Sequence, residues 1–383
     1  MQNRLPLSSL ALSFASLLAL AACGGTVAGG GGDGAGGTGN TPDPDTSSSS
    51  SGSPTSGPGG NGGAGGAGGA GGAGGDGGSS SSTGGSGGAG GVPVDDFGPP
   101  QCDANLVLDD ADPYSAAKAI ELCKTASDPN GWGLMEAKWV LPDGSPITEG
   151  FEQVYALGHG IFDSFGPNVG TRKGDRMLGL STGAARRPND PDHHSPYSGF
   201  AKSYGHGAPE GFPKPSPACS GVTTGDPYDG VALEVTVRAP NAAHAFAFDF
   251  TYYTAEYPAF TCTTFNDAFV ALLSPTPAGQ SDDNISFDNL GNIISVNNVF
   301  LEVCNNNCPL GGGALVGTGF DVQNNGATGW LTTTAPVNGG DVFTLRFATY
   351  DSGDAILDST TLVDNFRWTV VPNSAVNTSR PTE

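Results

Sequence analysis

Apolar and polar positions alternate along much of the second half of the chain, and this alternation predicts β-strands. In VALEVTVR (231–238) every second residue from Val231 is a large aliphatic one, and in AFAFDFTYY (245–253) every second residue from Phe246 is aromatic. A period of two places such side chains on one face of a half-buried strand. Further candidate strands are GLMEAKWVL, DRMLGLS, AFVALLS, IISVNNVF, DVFTLRFATYD and TTLVDNFRWTVV.

A helical pattern stands out at one place only, in DPYSAAKAIELCKT. Asp112 is placed as an N-cap, Pro113 takes the first helical position, and Ala116 and Ile120 share a face. Everything that follows is interpreted as strand and turn. Many short strands with one N-terminal helix predict a mainly β fold, a two-sheet, jelly-roll-like β-sandwich of about 280 residues with a long loop over 183–230.

The N-terminus has the pattern of an export signal. Arg4 is followed by an apolar run over about residues 10–20 and then by small residues. The segment Leu20 to Cys23 resembles the bacterial lipobox, in which the chain is cut before the Cys and the Cys is acylated, commonly with palmitate. Gly24 follows the Cys, and by the Gram-negative sorting rule this predicts outer-membrane delivery. An ordinary signal peptide with a chance Cys is the alternative.

Residues 24 to 91 differ sharply in composition from the remainder. They contain 32 of the 63 glycines, with serine runs and no Lys or Arg. A segment without apolar positions cannot offset the entropy of ordering, so we expect a flexible tether with a root-mean-square span of ~45 Å. The predicted organisation is a signal peptide (1–22), a lipidated Cys with a disordered linker (23–96), a folded domain (97–372) and a disordered tail (373–383).

Charge and cysteine content restrict the function classes. The chain has a net charge of −23, and residues 97–383 account for −18 of it, which makes sequence-independent nucleic-acid binding unfavourable. Without Cys23 the exported chain has six cysteines, an even number that favours three disulfides. We predict the nearest-neighbour pairs Cys102–Cys123, Cys219–Cys262 and Cys304–Cys308. The last pair, CNNNC, lacks a second Cys or His pair that would complete a metal site.

Acidic residues form the most suggestive candidate site. Clustered carboxylates on neighbouring loops of a sandwich supply the oxygen ligands that Ca²⁺ needs, although the same residues are also common caps and turn formers. Both interpretations stay open, because the spacing does not match an EF-hand loop. The candidate ligands are Glu256, Asn266, Asp267, Asp351, Asp354, Asp358 and Asp364.

Histidines suggest a weaker alternative. His193 and His194, with Asp190 or Asp192, could hold zinc, but adjacent loop histidines rarely face one metal, and no HExxH pair is present. There is no G-x-S-x-G elbow and no Ser, His and Asp set marked by local sequence, so we predict no catalytic residues. A secreted hydrolase with its site in the 183–230 loop is nevertheless kept as an alternative.

Several segments together resemble one family of bacterial surface proteins. The runs AFAFDFTYYTAEYPAFTCTTFNDAFVALL, NISFDNLGNIISVNNV and TGWLTTTAPVNGGDVFTLRFATYDSGDAILDSTTLVDNF are similar to the choice-of-anchor L family. The earlier pieces DDADPYSAAKAIELCK, WGLMEAKWVLPDGS and RMLGLSTGAARRP resemble its longer version in myxobacterium-like lipoproteins. The resemblance implies a surface protein and transfers no enzymatic activity. We therefore expect a non-enzymatic, outer-membrane, lipid-anchored protein used in adhesion, by binding glycan or matrix protein, or a purely structural surface component.

Overall fold

A computed structural model describes residues 101–127, 130–323, 325–373 and 375–381. The predicted signal peptide (1–22) and the whole of the predicted lipidated Cys23 and linker (23–96) lie outside these ranges. In the described part the chain is mainly β, with 13 strands arranged in two antiparallel sheets. The predicted fold class is therefore confirmed.

The elements follow one another in a fixed order along the chain. The helices are α1 (Pro113–Lys118), α2 (Glu152–Leu157) and the 3₁₀ turn η1 (Gly313–Leu315). The strands are β1 (Gly133–Val140), β2 (His159–Phe162), β3 (Met177–Ser181), β4 (Pro227–Arg238), β5 (Ala245–Thr254), β6 (Ala268–Ser274), β7 (Ile294–Ser295), β8 (Val303–Cys304), β9 (Gly326–Ala327), β10 (Leu331–Pro336), β11 (Val342–Ser352), β12 (Ser359–Thr369) and β13 (Asn377–Ser379).

These strands form two sheets, A and B. Sheet A has the order β1-β4-β11-β6-β7, and sheet B has the order β13-β10-β5-β12-β3-β2, with β9 beside the end of β5 and β8 beside β9. The aromatic side chains at alternate positions of β5, from Phe246 to Tyr252, face sheet A. Phe248 lies edge-on to Phe347 with ring centroids 4.9 Å apart, and Phe250 lies 4.9 Å from Phe269. The period-two pattern of β5 therefore builds the core between the sheets.

The outer face of sheet B carries a second apolar cluster. Tyr253 and Leu362, which point away from the inter-sheet core, pack with Phe162, Phe165 and Met177 under the loops that cover this face. All ten residues of β5 are buried, because both of its faces are covered. The loops packed on the outer face of sheet B thus form an additional layer outside the two sheets.

Helix α1 matches its predicted start. Asp112 caps it by accepting a hydrogen bond from the Tyr114 amide at 3.0 Å, and Pro113 occupies the first turn. The expectation of a single helix is wrong, because α2 forms six residues with only Tyr155 buried. A helix of fewer than two turns is too short to show a 3.6-residue period.

Three disulfides join the predicted pairs, Cys102–Cys123, Cys219–Cys262 and Cys304–Cys308. The segment predicted as a disordered tail instead contributes β13, which pairs with β10 from Thr332 to Thr334. In β13 the Thr378 hydroxyl hydrogen-bonds the buried Thr333 hydroxyl at 2.8 Å. The three residues of β13, Asn, Thr and Ser, carry no apolar pattern, so the periodicity of the sequence does not predict this strand.

Candidate functional site

Five carboxyl groups meet at one end of the sandwich, where β5 and β11 end and β6 and β12 begin. We name them the acidic cluster: Glu256, Asp267, Asp351, Asp354 and Asp358. The Asp267 amide donates to Glu256 Oε2 at 2.9 Å, and the carboxyl groups of Asp267 and Asp351 are in hydrogen-bonding contact. Asp354 and Asp358 lie within electrostatic range of Asp267. Two sheets thus bring together residues separated by as many as 102 positions in the sequence.

Local turns orient the loops that carry the cluster. The Thr254 hydroxyl accepts a hydrogen bond from the Glu256 amide at 3.1 Å as the chain leaves β5. Asp354 Oδ1 accepts from the Ile356 amide at 3.2 Å, which is an Asx turn. Between β11 and β12, Gly353 has a φ of +103°, a conformation that L side chains rarely adopt. Asp354 thus has a turn-forming role, which is one of the two roles that the sequence allows for these carboxyl groups.

The other acids of the cluster are buried rather than placed in turns. Asp267 is 0% exposed and Asp351 is 1% exposed, and the Oδ1 atom of each has no hydrogen-bond partner among the described residues. Burial raises the pKa of Asp267 to about 7. It also raises the pKa values of Glu256, Asp351 and Asp358 well above their usual range, and the neighbouring carboxyl groups add to each shift. These buried carboxyl groups are therefore stable together only if some of them hold a proton or if a cation binds to them.

Sequence reasoning missed one basic group beside the cluster. The side chain of Lys202 is buried, and its Nζ donates to the Ser181 carbonyl at 2.8 Å. Burial lowers the pKa of Lys202 to about 8, opposed by Asp229, Asp358 and Asp351. Lysines in loops are usually exposed, so no sequence signal marks this one. Only the fold of the 183–230 loop over the sheet end places it here.

Two of the seven predicted ligands do not have their side chains in the cluster. The Asn266 Oδ1 accepts a hydrogen bond from Asn297 Nδ2 at 3.0 Å, which engages it with a different loop. Asp364 lies five residues beyond Ser359 along β12, which is about 17 Å at the rise of a β-strand. The sequence-based prediction grouped Asp364 with the other acids because they are close along the chain, but the fold places its side chain elsewhere.

Asp364 instead joins a second group of acids with Asp103 and Glu121. The Asp364 Oδ2 accepts hydrogen bonds from the amides of Arg172 and Lys173 at 2.5 and 3.3 Å. Burial, together with the Asp364 carboxyl, raises the pKa of Glu121 to about 11, and burial raises that of Asp364 to about 7. This group connects the N-terminal segment, the loop before β3 and β12.

The histidine-based alternatives find separate partners. The His194 ring stacks on Phe200 with centroids 3.8 Å apart, and His193 Nδ1 lies 3.1 Å from the Arg186 carbonyl. Asp190 is held by Arg187 through Nε at 3.0 Å and Nη2 at 3.1 Å. These contacts direct the proposed zinc ligands to different neighbours.

Within the described residues, no three His, Cys, Asp or Glu side chains are already arranged as a metal centre. The acidic cluster would thus have to rotate its carboxyl groups toward a common point in order to hold a cation. In the same ranges, no helix is long and apolar enough to cross a membrane.

A family profile described as Choice-of-anchor L domain matches residues 159–365, more than half of the chain. The chain belongs to the choice-of-anchor L family. The resemblance seen in the sequence is thereby confirmed. A choice-of-anchor domain suggests a cell-surface protein, and the family is not a known enzyme family. No curated protein and no solved structure matches the chain. The match includes all five residues of the acidic cluster.

Proposed function

We propose that this protein is a non-enzymatic, lipid-anchored protein of the outer membrane that presents a Ca²⁺-stabilised β-sandwich at the cell surface for adhesion, by binding a glycan or a matrix protein. Membership of a surface-protein family supports the location. The lipobox-like segment ending at Cys23 and the Gly-rich stretch after it support the anchor and the tether. Several acyl chains, each contributing ~0.8 kcal/mol per buried methylene, would hold such a protein at a membrane.

The contact between Asp267 and Asp351 is the observation that carries the cation proposal. Two buried carboxylates in contact repel each other unless a proton or a cation lies between them. Ca²⁺ takes six to eight oxygen ligands, and the unpartnered Oδ1 atoms of both residues are available to it. Glu256 and Asp354 stand on the adjacent loops and would complete the set after side-chain rotation.

Thermal unfolding tests the cation. The purified protein in millimolar Ca²⁺ should unfold at a higher temperature than in EDTA, since a ligand at 100 times its Kd adds ~2.7 kcal/mol. Asp351→Asn should lose most of this difference, whereas Asp109→Asn, at an exposed position, should keep it. Equal unfolding temperatures of the wild type in EDTA and Ca²⁺ would show that no stabilising cation binds.

Adhesion is tested on the folded protein with a glycan array and with immobilised matrix proteins. Saturable binding to one of these surfaces supports the proposed function. Absence of binding to both would count against adhesion and would favour a purely structural surface component.

The anchor is tested by metabolic labelling with an alkyne palmitate in a Gram-negative host. The wild-type protein should carry the label and sediment with the outer membrane, and Cys23→Ala should lose both properties. Cys304→Ser serves as a matched control, because it removes a cysteine from a disulfide and leaves the lipobox intact. A labelled Cys23→Ala variant would exclude this residue as the acylation site.

A further inference from the structure

A pocket of about 540 Å³ opens at the end of the sandwich opposite the acidic cluster. It lies where β6 and β10 end and where β5 and β11 begin, at Leu273, Pro336, His244 and Val342. Strand β11 runs from one end to the other, and its 11 residues span about 35 Å at ~3.3 Å per residue. The pocket is therefore a separate site. Its volume falls in the ~300–1,000 Å³ range typical of small-ligand sites.

Prolines form much of the wall of this pocket. Pro275, Pro277, Pro336 and Pro372 all line it, and Phe343 contributes an aromatic side chain. A proline has a fixed φ and no amide hydrogen, so these walls are stiff and present ring C–H groups in place of backbone donors. A preformed apolar wall lowers the ordering cost of binding a ligand.

Polar side chains line the same pocket. Asn338 Nδ2 donates to Asp341 Oδ2 at 2.8 Å, which orients the carboxylate. His244, Thr276 and Asn373 also contribute to the lining. A carboxylate and two amides offer several acceptors and donors beside an apolar wall. This combination suits a ligand that has hydroxyl groups on its edge and C–H groups on its face.

Charge narrows the class of ligand further. Among the described residues that line the pocket, Asp341 is the one acidic residue, and residues 97–383 carry a net charge of −18. An anionic ligand would be repelled both locally and by the domain as a whole. A purely aliphatic ligand would form no hydrogen bonds with Asp341, Asn338 and Asn373. It would also displace water from these side chains, which costs free energy. A neutral saccharide matches both the charge and the mixed lining.

We infer that this proline-lined pocket is a saccharide-binding site that takes the neutral terminal one or two sugar units of a surface glycan. The inference rests on the proposed adhesive function and specifies its ligand and location. Hydroxyl groups of the sugar donate to Asp341 and Asn338, and the C–H face of the ring packs on the prolines. The acidic cluster at the other end takes no part in the contact.

The experiment compares four forms of the full-length mature protein on a glycan array, followed by calorimetric titration of the best neutral saccharide. Asp341→Ala removes the carboxylate, and Ala278→Trp fills the pocket from an exposed position without removing a polar group. Asp321→Ala, exposed and outside the pocket, is the control. Each variant is first shown to unfold within a few degrees of the wild type.

The expected result is at least a tenfold weaker Kd for Asp341→Ala and for Ala278→Trp, with Asp321→Ala unchanged. A tenfold change corresponds to ~1.4 kcal/mol, near the lower end expected for losing a hydrogen bond to a charged group. Wild-type binding that both pocket variants retain would overturn the inference and leave the adhesive function standing.

Other outcomes separate the inference from the function on which it rests. Array hits confined to anionic glycans would overturn the neutral class. Binding of a deglycosylated matrix protein without any saccharide would overturn the pocket inference while supporting adhesion. A wild-type protein that binds neither surface would contradict both.

Discussion

Replacing Asp249 by Ala tests whether a buried carboxylate organises the outer face of sheet B. Asp249 lies in the middle of β5, and its side chain is 1% exposed. It accepts hydrogen bonds from Arg367 Nη1 at 3.0 Å, Arg172 Nε at 3.3 Å, Asn365 Nδ2 at 2.8 Å and Thr332 Oγ1 at 2.7 Å. One residue thus connects three strands and the loop before β3.

The expected cost follows from burial and solvent exposure. Breaking a buried ion pair by removing one partner costs about 3–5 kcal/mol. The side chains of Arg172 and Arg367 are 37% and 30% exposed, so part of their charge can turn to water, and screening lowers the cost. We expect Asp249→Ala to lower the free energy of unfolding by about 2–4 kcal/mol. At roughly 2–4 °C per kcal/mol, the unfolding temperature should fall by several degrees or more.

Urea unfolding followed by circular dichroism measures this change, with the m-value checked for constancy. Asp249→Asn keeps the shape and some acceptor capacity, so it should cost about half as much. Asp109→Ala, at an exposed position, should change the free energy of unfolding by less than about 0.5 kcal/mol. A loss below about 1 kcal/mol for Asp249→Ala would refute the reasoning, because the four contacts would then be replaced by water without cost.

Three further changes test other parts of the structure. Burial, together with the neighbouring Asp364 carboxyl, raises the pKa of Glu121 to about 11, so the folded state keeps a proton that the unfolded chain releases above pH 4.5. The free energy of unfolding should therefore fall as the pH rises from 4.5 toward 11. Glu121→Gln should flatten this fall and exceed the wild type at pH 8 by at least about 1.4 kcal/mol, measured by urea unfolding across pH. Gly183→Ala would place a Cβ against the Asp358 carboxylate, and a cost of about 1–3 kcal/mol is expected in the same assay; an unchanged midpoint would show that Asp358 moves freely. Phe248→Ala, which empties a fully buried site between the sheets, should cost about 3–5 kcal/mol, and a smaller value would indicate that the core collapses around the cavity.

Much of the β-architecture could be predicted from local pattern. The alternation in residues 231–238 and 245–253 appears as β4 and β5, and Asp112 and Pro113 begin α1. Elements without an apolar period escaped prediction. The predicted strand IISVNNVF is much shorter than its apolar pattern suggests and covers only Ile294–Ser295, because Asn297 donates to Asn266 on another loop and Asn298 turns back to the Ser295 carbonyl.

The sequence could predict which residue types form the candidate site, but it could not predict which of them lie close together. Asp267 and Asp351 are 84 positions apart, and their contact depends on the pairing of β6 with β11. The same fold places Asp364 in another group and brings Lys202 beside the cluster from a loop with no distinguishing pattern. The pocket at the opposite end has no sequence motif, because its lining comes from five separate segments.

The amino-acid sequence by itself determined the strand periodicity, the helix start, the even number of cysteines and the family, because these depend on neighbouring residues, on composition or on motif order. Only the tertiary structure decided which carboxyl groups meet, which lysine is buried with them and where a ligand-sized pocket opens. Contacts between the ends of different strands depend on sheet order and register, and these are set by packing across the whole sandwich. Packing that removes water from a carboxyl group raises its pKa, as it does at Asp267 and Glu121.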